Sequence, residues 1–280
     1  MDTELPRVVI IGHVCIDSNT TEHNSYTSWG SSALYIAQYI QQQYQVQPLV
    51  IAEYGADLLP YLPEGIRLLP DKPTQPASLR YENDTRVVPR IWRCFNAEFS
   101  PEPALTTAVI EALQTADIVF VATLLPNYSS GFLEQALRYT KPTALRVLCP
   151  QGNLRQIDAE GLVHPRDFNE APELVPRFSL TIYSEEDTPS ALSDAAVWTK
   201  QSKARIIVTQ GENGASIFEH GECLRIPTRP LSPDQIVDSV GCGDVFQAAV
   251  AYEYHATRDL PSAVRAAHIA AADKLAASMD

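Results

Sequence analysis

The sequence is short of positive charge, has no paired cysteines and contains no long apolar run. Lys and Arg number 21 against 34 Asp and Glu, giving a formal net charge of −13 and a pI near 4.9. Such a surface repels nucleic acid and anionic membrane, so neither is expected as a partner, and a bound phosphate must be held by local amides and a few cations. The cysteines Cys15, Cys94, Cys149, Cys223 and Cys242 are an odd, scattered set with neither metal-pair spacing nor a disulfide framework, which fits a reducing compartment. The histidines show no metal-ligand spacing and are assigned no chemistry. No apolar run approaches the length of a membrane span, and Met1 to Arg7 alternates acidic and basic residues before running straight into a strand; the expectation is a soluble, cytoplasmic protein. Internal repeats and low-complexity domains are also missing, and Gln41 to Gln47 reads as a helix end and loop. The turn from Gly12 to Asp17 lacks Gly-x-Gly-x-x-Gly, which argues against a dinucleotide-dependent oxidoreductase.

What is present is enough apolar material for one large core: 280 residues, 45% of them hydrophobic, which implies one principal domain over residues 1–280. Short β-rich runs alternate with longer helical patterns, predicting a mostly parallel sheet with helices on both faces. The strand candidates are Val8–Gly12, Leu49–Ala52, Asp117–Ala122, Ala144–Cys149, Ser179–Tyr183 and Arg205–Thr209. Helices are expected over Ser31–Gln43, Pro103–Thr115, Gly131–Tyr139, Ser190–Lys203, Gly243–His255 and Pro261–Ala277. In such sheets ligands gather beyond the carboxyl ends of the strands, and Asp17, Gln151 to Arg155, Ser184 to Asp187, Gly211 and Gly241 to Asp244 all follow a predicted strand. The stretches 18–28 and 77–99, the second carrying Tyr81, Val87, Val88, Ile91, Trp92 and Phe95, depart from the alternation and read as a small lid or a surface hairpin.

The run Val237 to Phe246 places Gly241 and Gly243 at a turn entering a helix, with Asp244 beside them. Glycine amides and the free donors of a helix N-terminus can close around an anion. A carboxylate there would repel a resting phosphate, so its use is to accept the proton of an attacking hydroxyl while the amides neutralise the transferred group. Gly-x-Gly also marks ordinary tight turns, so the order of other segments must decide.

Asp238-Ser239-Val240-Gly241-Cys242-Gly243-Asp244 resembles the C-terminal signature of the PfkB/ribokinase family of carbohydrate and nucleoside kinases, Asp-Thr-x-Gly-Ala-Gly-Asp. Val208 to Ala215 is similar to the family's nucleotide-site strand and turn, Val8 to Gly12 leading to Asp17 to its first strand and substrate-holding Asp, and Gly30 to Ala37 to its Gly-Gly-x-x-x-Asn-x-Ala helix entry. These stations stand in the family's order over most of the chain. Cys149 to Arg155 resembles Asp-x-Gln-Gly-x-x-Arg of branches similar to inositol kinases, and Ala266 to Ala272 the small-residue helix beside adenine.

The resemblance implies a ribokinase-like three-layer α/β fold, with a mostly parallel central sheet, helices on both faces and a small β lid that often pairs with a partner subunit, so a homodimer through the lid is expected. It implies an ATP- and Mg²⁺-dependent kinase acting on a hydroxyl of a small polyol, sugar or nucleoside. Asp244 is then the base, with Gly241, Cys242 and Gly243 supplying amides; Asp17, Gly30, Ser31, Tyr35 and Arg155 contact the acceptor; Ser184, Asp187, Thr209, Gly211 and Gly214 line the nucleotide, with Asp187 supporting the metal shell. Several residues have structural alternatives: Arg155 as a loop salt bridge, Glu185 to Asp187 as a solvated helix start, Gly211 and Gly214 as part of a hairpin, and Cys242 as a small filler rather than a favoured thiolate at a helix N-terminus. Ser31, Tyr35, Ser184 and Asp187 stand where the family has Gly, Asn, Asn and Glu, which supports the competing reading of a non-catalytic small-molecule or nucleotide sensor on the same fold.

Overall fold

The computed structural model describes residues 5–21, 24–84, 86 and 91–276. Of the segments discussed above, Met1–Glu4, Glu22, His23, Thr85, Val87, Val88, Pro89, Arg90 and Ala277 lie outside the described residues. A nine-stranded sheet forms the middle layer. Its order is β15 (Glu222–Ile226), β14 (Ala215–Glu219), β13 (Arg205–Thr209), β12 (Leu180–Ser184), β9 (Leu145–Cys149), β8 (Ile118–Ala122), β1 (Val8–Gly12), β4 (Leu49–Ile51) and β5 (Arg67–Leu69). Neighbours from β13 to β5 pair in parallel, and only the β13–β14–β15 meander is antiparallel. Successive residues of the central strands are buried on opposite faces, which is why these strands read as continuous apolar runs.

One face, through Val8, Ile10, Phe120 and Val147, packs against α1 (Ser32–Tyr44), α6 (Cys242–Thr257) and α7 (Leu260–Ala276). The other, through Val9, Ile11, Val121 and Leu148, packs against α2 (Thr107–Thr115), α3 (Ser130–Arg138), α4 (Ala171–Leu174) and α5 (Ala191–Gln201). Helix entries follow side-chain caps. Ser31, Thr106 and Ser129 accept the amides of Leu34, Val109 and Phe132 at 3.2, 3.3 and 3.2 Å. With Thr106 as its cap, α2 starts at Thr107, four residues after the expected Pro103.

The two segments outside the alternating pattern form a four-stranded sheet, ordered β3 (Ser25–Gly30), β2 (Cys15–Thr20), β6 (Leu79–Asp84), β7 (Ile91–Phe95). It packs on the main body through Leu79, Tyr81, Leu124 and Leu125. A short hairpin, β10 (Arg155–Ile157) and β11 (Val163–Pro165), abuts the β7 edge. Strands β5, β10 and β11 and helix α4 were not expected from sequence; at three or four residues each they are too short to display a period. Two expected placements are corrected. Asp17 does not follow a strand but sits inside β2, because the chain leaves β1 directly into the second sheet. Gly241–Asp244 is reached through a loop after β15 rather than from a strand end.

Candidate active site

The carboxyl ends of β1, β9, β12 and β13 lie on one side of the main sheet, and the four-stranded sheet and the start of α6 meet there. Asp17 and Asn19 alternate with exposed Ser18 on β2, and Tyr81 and Asn83 are registered opposite them on β6, so these side chains share the buried face of the smaller sheet. Asp17 accepts a hydrogen bond from the Cys15 thiol at 2.9 Å. Burial pushes its carboxyl up to about 6, with the Cys15 bond and the Arg155 charge opposing the rise. Gly30 is needed directly beside it, since a Cβ there would lie 2.0 Å from the Asp17 carboxyl carbon.

Gly241 takes φ +77° as the residue before α6, a conformation that suits glycine, and a Cβ on it would meet the Tyr35 ring at 2.5 Å. The Tyr35 ring thus seals the turn against α1 and packs on Trp29, with ring centroids 4.6 Å apart. Ser31, at φ 105°, holds the strained position where the family pattern has glycine. The amide of Cys242 donates to the Ser239 carbonyl at 3.3 Å, and its thiol points to the Ala271 carbonyl on α7 at 3.6 Å. The expected anion-binding amide of Cys242 is therefore engaged within the chain, whereas a Cβ at Gly243 would face open space.

Asp244, in the first turn of α6, is partly exposed and bonded by Ser32. Burial pushes its carboxyl up to about 7; Ser32 and Arg155 oppose the shift, and Asp187 and Asp17 reinforce it. Tyr35, raised first by burial, feels both Asp17 and Asp244. Asp17 also raises Asp244, so the two carboxyl groups stand close enough to each other and to Tyr35 to interact through their charge. Asp187 lies in the turn after β12, not at a helix start, for α5 begins only at Ala191. Its carboxylate accepts the Ser184 amide at 2.9 Å and a Gln151 bond; burial raises its pKa, opposed first by Arg155. Glu186 is exposed, and Glu185 accepts from Gln210 at 3.2 Å. Thr209, the last residue of β13, is registered opposite Ser184, and its hydroxyl donates to the Tyr183 carbonyl at 3.5 Å. Gly211 opens into space, whereas a Cβ on Gly214 would meet the Ile226 carbonyl at 2.3 Å, so the latter shapes the meander.

Among the described residues Arg155 makes no loop salt bridge. It is buried, with its guanidinium carbon 4.8 Å from the Trp92 ring centroid and Nη1 without a partner. Asn19, Asn83, Trp92 and Tyr26 were missed as inward-facing residues. Tyr26 donates to Asp238 at 2.8 Å and ties the smaller sheet to the loop before α6. Asn19 carried a signal, its i, i+2 spacing from Asp17, visible only once β2 is known to be a strand; Asn83, Trp92 and Tyr26 stand on other strands and carried none. Elsewhere, His13 is buried between the Leu124 amide, 3.0 Å from Nδ1, and Asn127, 2.8 Å from Nε2; burial pushes it down to about 4, a neutral structural group. Among the described residues no cluster of three or more His, Cys, Asp or Glu is arranged to hold a metal, and no helix is long and apolar enough to cross a membrane.

The chain is similar to known proteins in sequence and fold. The "Bifunctional protein HldE" of Bradyrhizobium diazoefficiens is 30% identical over 182 residues, 61% of this chain and 33% of that protein. The cytidine kinase of Thermococcus kodakarensis is 30% identical over 89 residues, 32% of this chain and 31% of its own length. The chain thus spans about a third of the length of the curated relatives it matches. The fold is shared with a pyrophosphate-dependent kinase in the ribokinase family complexed with a pyrophosphate analog and myo-inositol (TM-score 0.75, 16% identity, 96% of this chain and 94% of that one). It is shared too with Arabidopsis thaliana ribokinase complexed with ribose and ATP (TM-score 0.71, 15% identity, 98% and 94%). The family model for pfkB family carbohydrate kinases matches residues 82–276, and the chain belongs to that family.

Proposed function

We propose that the protein is a phosphotransferase that moves the γ-phosphoryl group of ATP to a hydroxyl of a small carbohydrate, polyol or nucleoside bound beneath the four-stranded sheet. The observation that carries this reading is the nearness of the Asp17 and Asp244 carboxyls, which act on each other and on Tyr35, whose ring packs on Gly241 at the start of α6.

In the proposed reaction Asp17 accepts hydrogen bonds from acceptor hydroxyls. Asp244 takes the proton of the attacking hydroxyl as the new O–P bond forms and the bond from Pγ to the leaving ADP oxygen breaks. The first-turn amides of α6 beyond Cys242, with the helix dipole, offset charge on the moving group. Such transfer depends mainly on positioning and electrostatics, so a carboxylate of modest basicity suffices when the proton leaves late. An acid poised near neutrality suits that task better than one of ordinary carboxylate strength. Asp187 is the hard oxygen donor that fits Mg²⁺; among the described residues no cluster of three His, Cys, Asp or Glu includes it, so the ion would take most of its ligands from outside the protein, and it would supply positive charge there. Ser184, Thr209, Gly211 and Gly214 are proposed on the nucleotide side. Exposed Ile236 and Val237, the latter donating to the Leu275 carbonyl at 2.8 Å, are the apolar surface proposed for the base. The smaller sheet serves as a lid that excludes water. Its exposed Ile91 and Phe95 are the proposed contact of a homodimer, tested by light scattering of Phe95→Glu.

Coupled release assays with ATP or pyrophosphate as donor, against inositols, sugars and nucleosides, test the reading. Acceptor-dependent ADP release supports it. Pyrophosphate turnover without ATP turnover would remove the nucleotide, and acceptor binding without transfer from either donor would favour the sensor.

A further inference from the structure

Arg155 opens β10, and the β10–β11 hairpin carries it under the smaller sheet: the Cys94 amide donates to the Gly161 carbonyl at 2.7 Å, and Arg93 bridges to Leu162. There the guanidinium lies over Trp92, and the residue is 8% exposed. None of its N–H groups meets a protein acceptor among the described residues, and Nη1 is sealed from solvent. A buried cation without acceptors is unfavourable, and it persists where a ligand supplies them. The indole holds the cation by its ring face, 4.8 Å from the guanidinium carbon, and leaves the N–H fork without a protein acceptor, so that it can receive two oxygens of an oxyanion.

The surroundings place this fork on the acceptor side. Trp92 is registered opposite Asn83, whose Nδ2 donates to Asn19 Oδ1 at 3.0 Å. That pair leaves Asn19 Nδ2 and Asn83 Oδ1 without partners at 1% and 2% exposure, one donor and one acceptor set for hydroxyls on the same sheet face as Asp17. Asp17, Asp187 and Asp244 feel the Arg155 charge, but none of them accepts its hydrogen bonds. Burial already pushes Asp17 up to about 6 and Asp244 up to about 7, so the site carries less negative charge near neutrality than three ordinary carboxylates would.

We propose that Arg155, lying against Trp92, forms a subsite for an oxyanion substituent of the acceptor, next to the Asn19–Asn83 pair that meets its hydroxyls, so that the enzyme acts on an acidic sugar, a sugar phosphate or sugar acid, in preference to a neutral polyol. This rests on the phosphotransferase reading above.

The test compares matched acceptors (ribose and ribose 5-phosphate, fructose and fructose 6-phosphate, glucitol and gluconate) in the coupled release assays, together with thermal melts without donor, for the wild type, Arg155→Met and Arg155→Lys. The expected result is an acidic member favoured about tenfold or more in kcat/KM, the scale of one charge-assisted hydrogen bond. Arg155→Met should erase that preference through KM, and Arg155→Lys should restore part of it. The acidic member should also raise the wild-type melting temperature and fail to do so in Arg155→Met; if that variant does not fold, Arg155→Lys is read in the same way. Phosphate against carboxylate pairs identify which oxyanion is held. Equal or better use of the neutral members, or an equal kcat loss in Arg155→Met for both members, overturns the proposal and moves the guanidinium to the migrating phosphoryl group. Melting shifts from acidic sugars without turnover would retain the subsite and refute phosphotransfer; no shift and no turnover would refute the subsite.

Discussion

The two sheets use one backbone geometry for opposite purposes. In the nine-stranded sheet both faces are covered by helices, and β1 and β8 are apolar and buried at every position. In the four-stranded sheet burial alternates along β6 and from Asp17 onward in β2, and the buried set includes Asp17, Asn19 and Asn83. Burying Ile10 or Phe120 stabilises the fold through the hydrophobic effect. Burying a carboxylate and half-satisfied amides does the reverse, so these groups are explained by what they bind, and stability and recognition are divided between the sheets.

This division predicts effects of graded size. Phe120→Ala in β8 removes a fully buried ring and should lower stability by about 3–5 kcal/mol. Asn83→Ala should lower it by no more than about 1.5 kcal/mol, the scale of one net hydrogen bond. Urea unfolding followed by circular dichroism checks both, and equal losses would break the comparison. Next, Gly241→Ala forces a Cβ into the Tyr35 ring at positive φ and should cost about 1–3 kcal/mol, whereas Gly243→Ala should leave the melting temperature almost unchanged and weaken donor binding. Similar melting shifts for the two glycines would remove the assigned asymmetry.

The smallest effect in stability is expected at Asp17→Asn, which should raise the acceptor KM about tenfold or more while sparing the fold. Its sign depends on pH. The folded carboxyl sits near 6, above its ordinary value of 3.8, so the native state holds more protons than the unfolded one in between, and stability falls as pH rises through that window. The Asn variant lacks this loss. Its melting temperature relative to wild type should therefore be more favourable at pH 8 than at pH 4, and the opposite trend would contradict the assigned burial.

The sequence was most legible where a side-chain pattern is repeated. Apolar runs such as Val8–Gly12 and Arg205–Thr209 emerged as strands at the stated bounds, and the chain's turn at Gly241 was readable because two glycines precede a helix-forming stretch. Asp17 was singled out, but its strand was not, because a buried polar face such as Asp17, Asn19 and Asn83 looks like an exposed one until its partner strands are known. The β10–β11 hairpin was unreadable for a different reason: two three-residue strands carry no period, so nothing in Cys149–Arg155 announced that Arg155 would be delivered beneath Trp92. Cys242 shows a third limit, since its neighbours suggested an anion-binding amide and the fold instead directs that amide to Ser239.

The central claim is that Asp244 accepts the proton of an acceptor alcohol held close to Asp17. It is tested most directly by kcat/KM against pH for wild type and Asp244→Asn, with melting temperatures recorded alongside. The account predicts that wild-type kcat/KM climbs as pH rises through about 7, and that the variant melts normally. The variant should also turn over about 10² or more times slower, with that acid limb absent. Near-normal turnover in Asp244→Asn, or an unchanged acid limb, would contradict it.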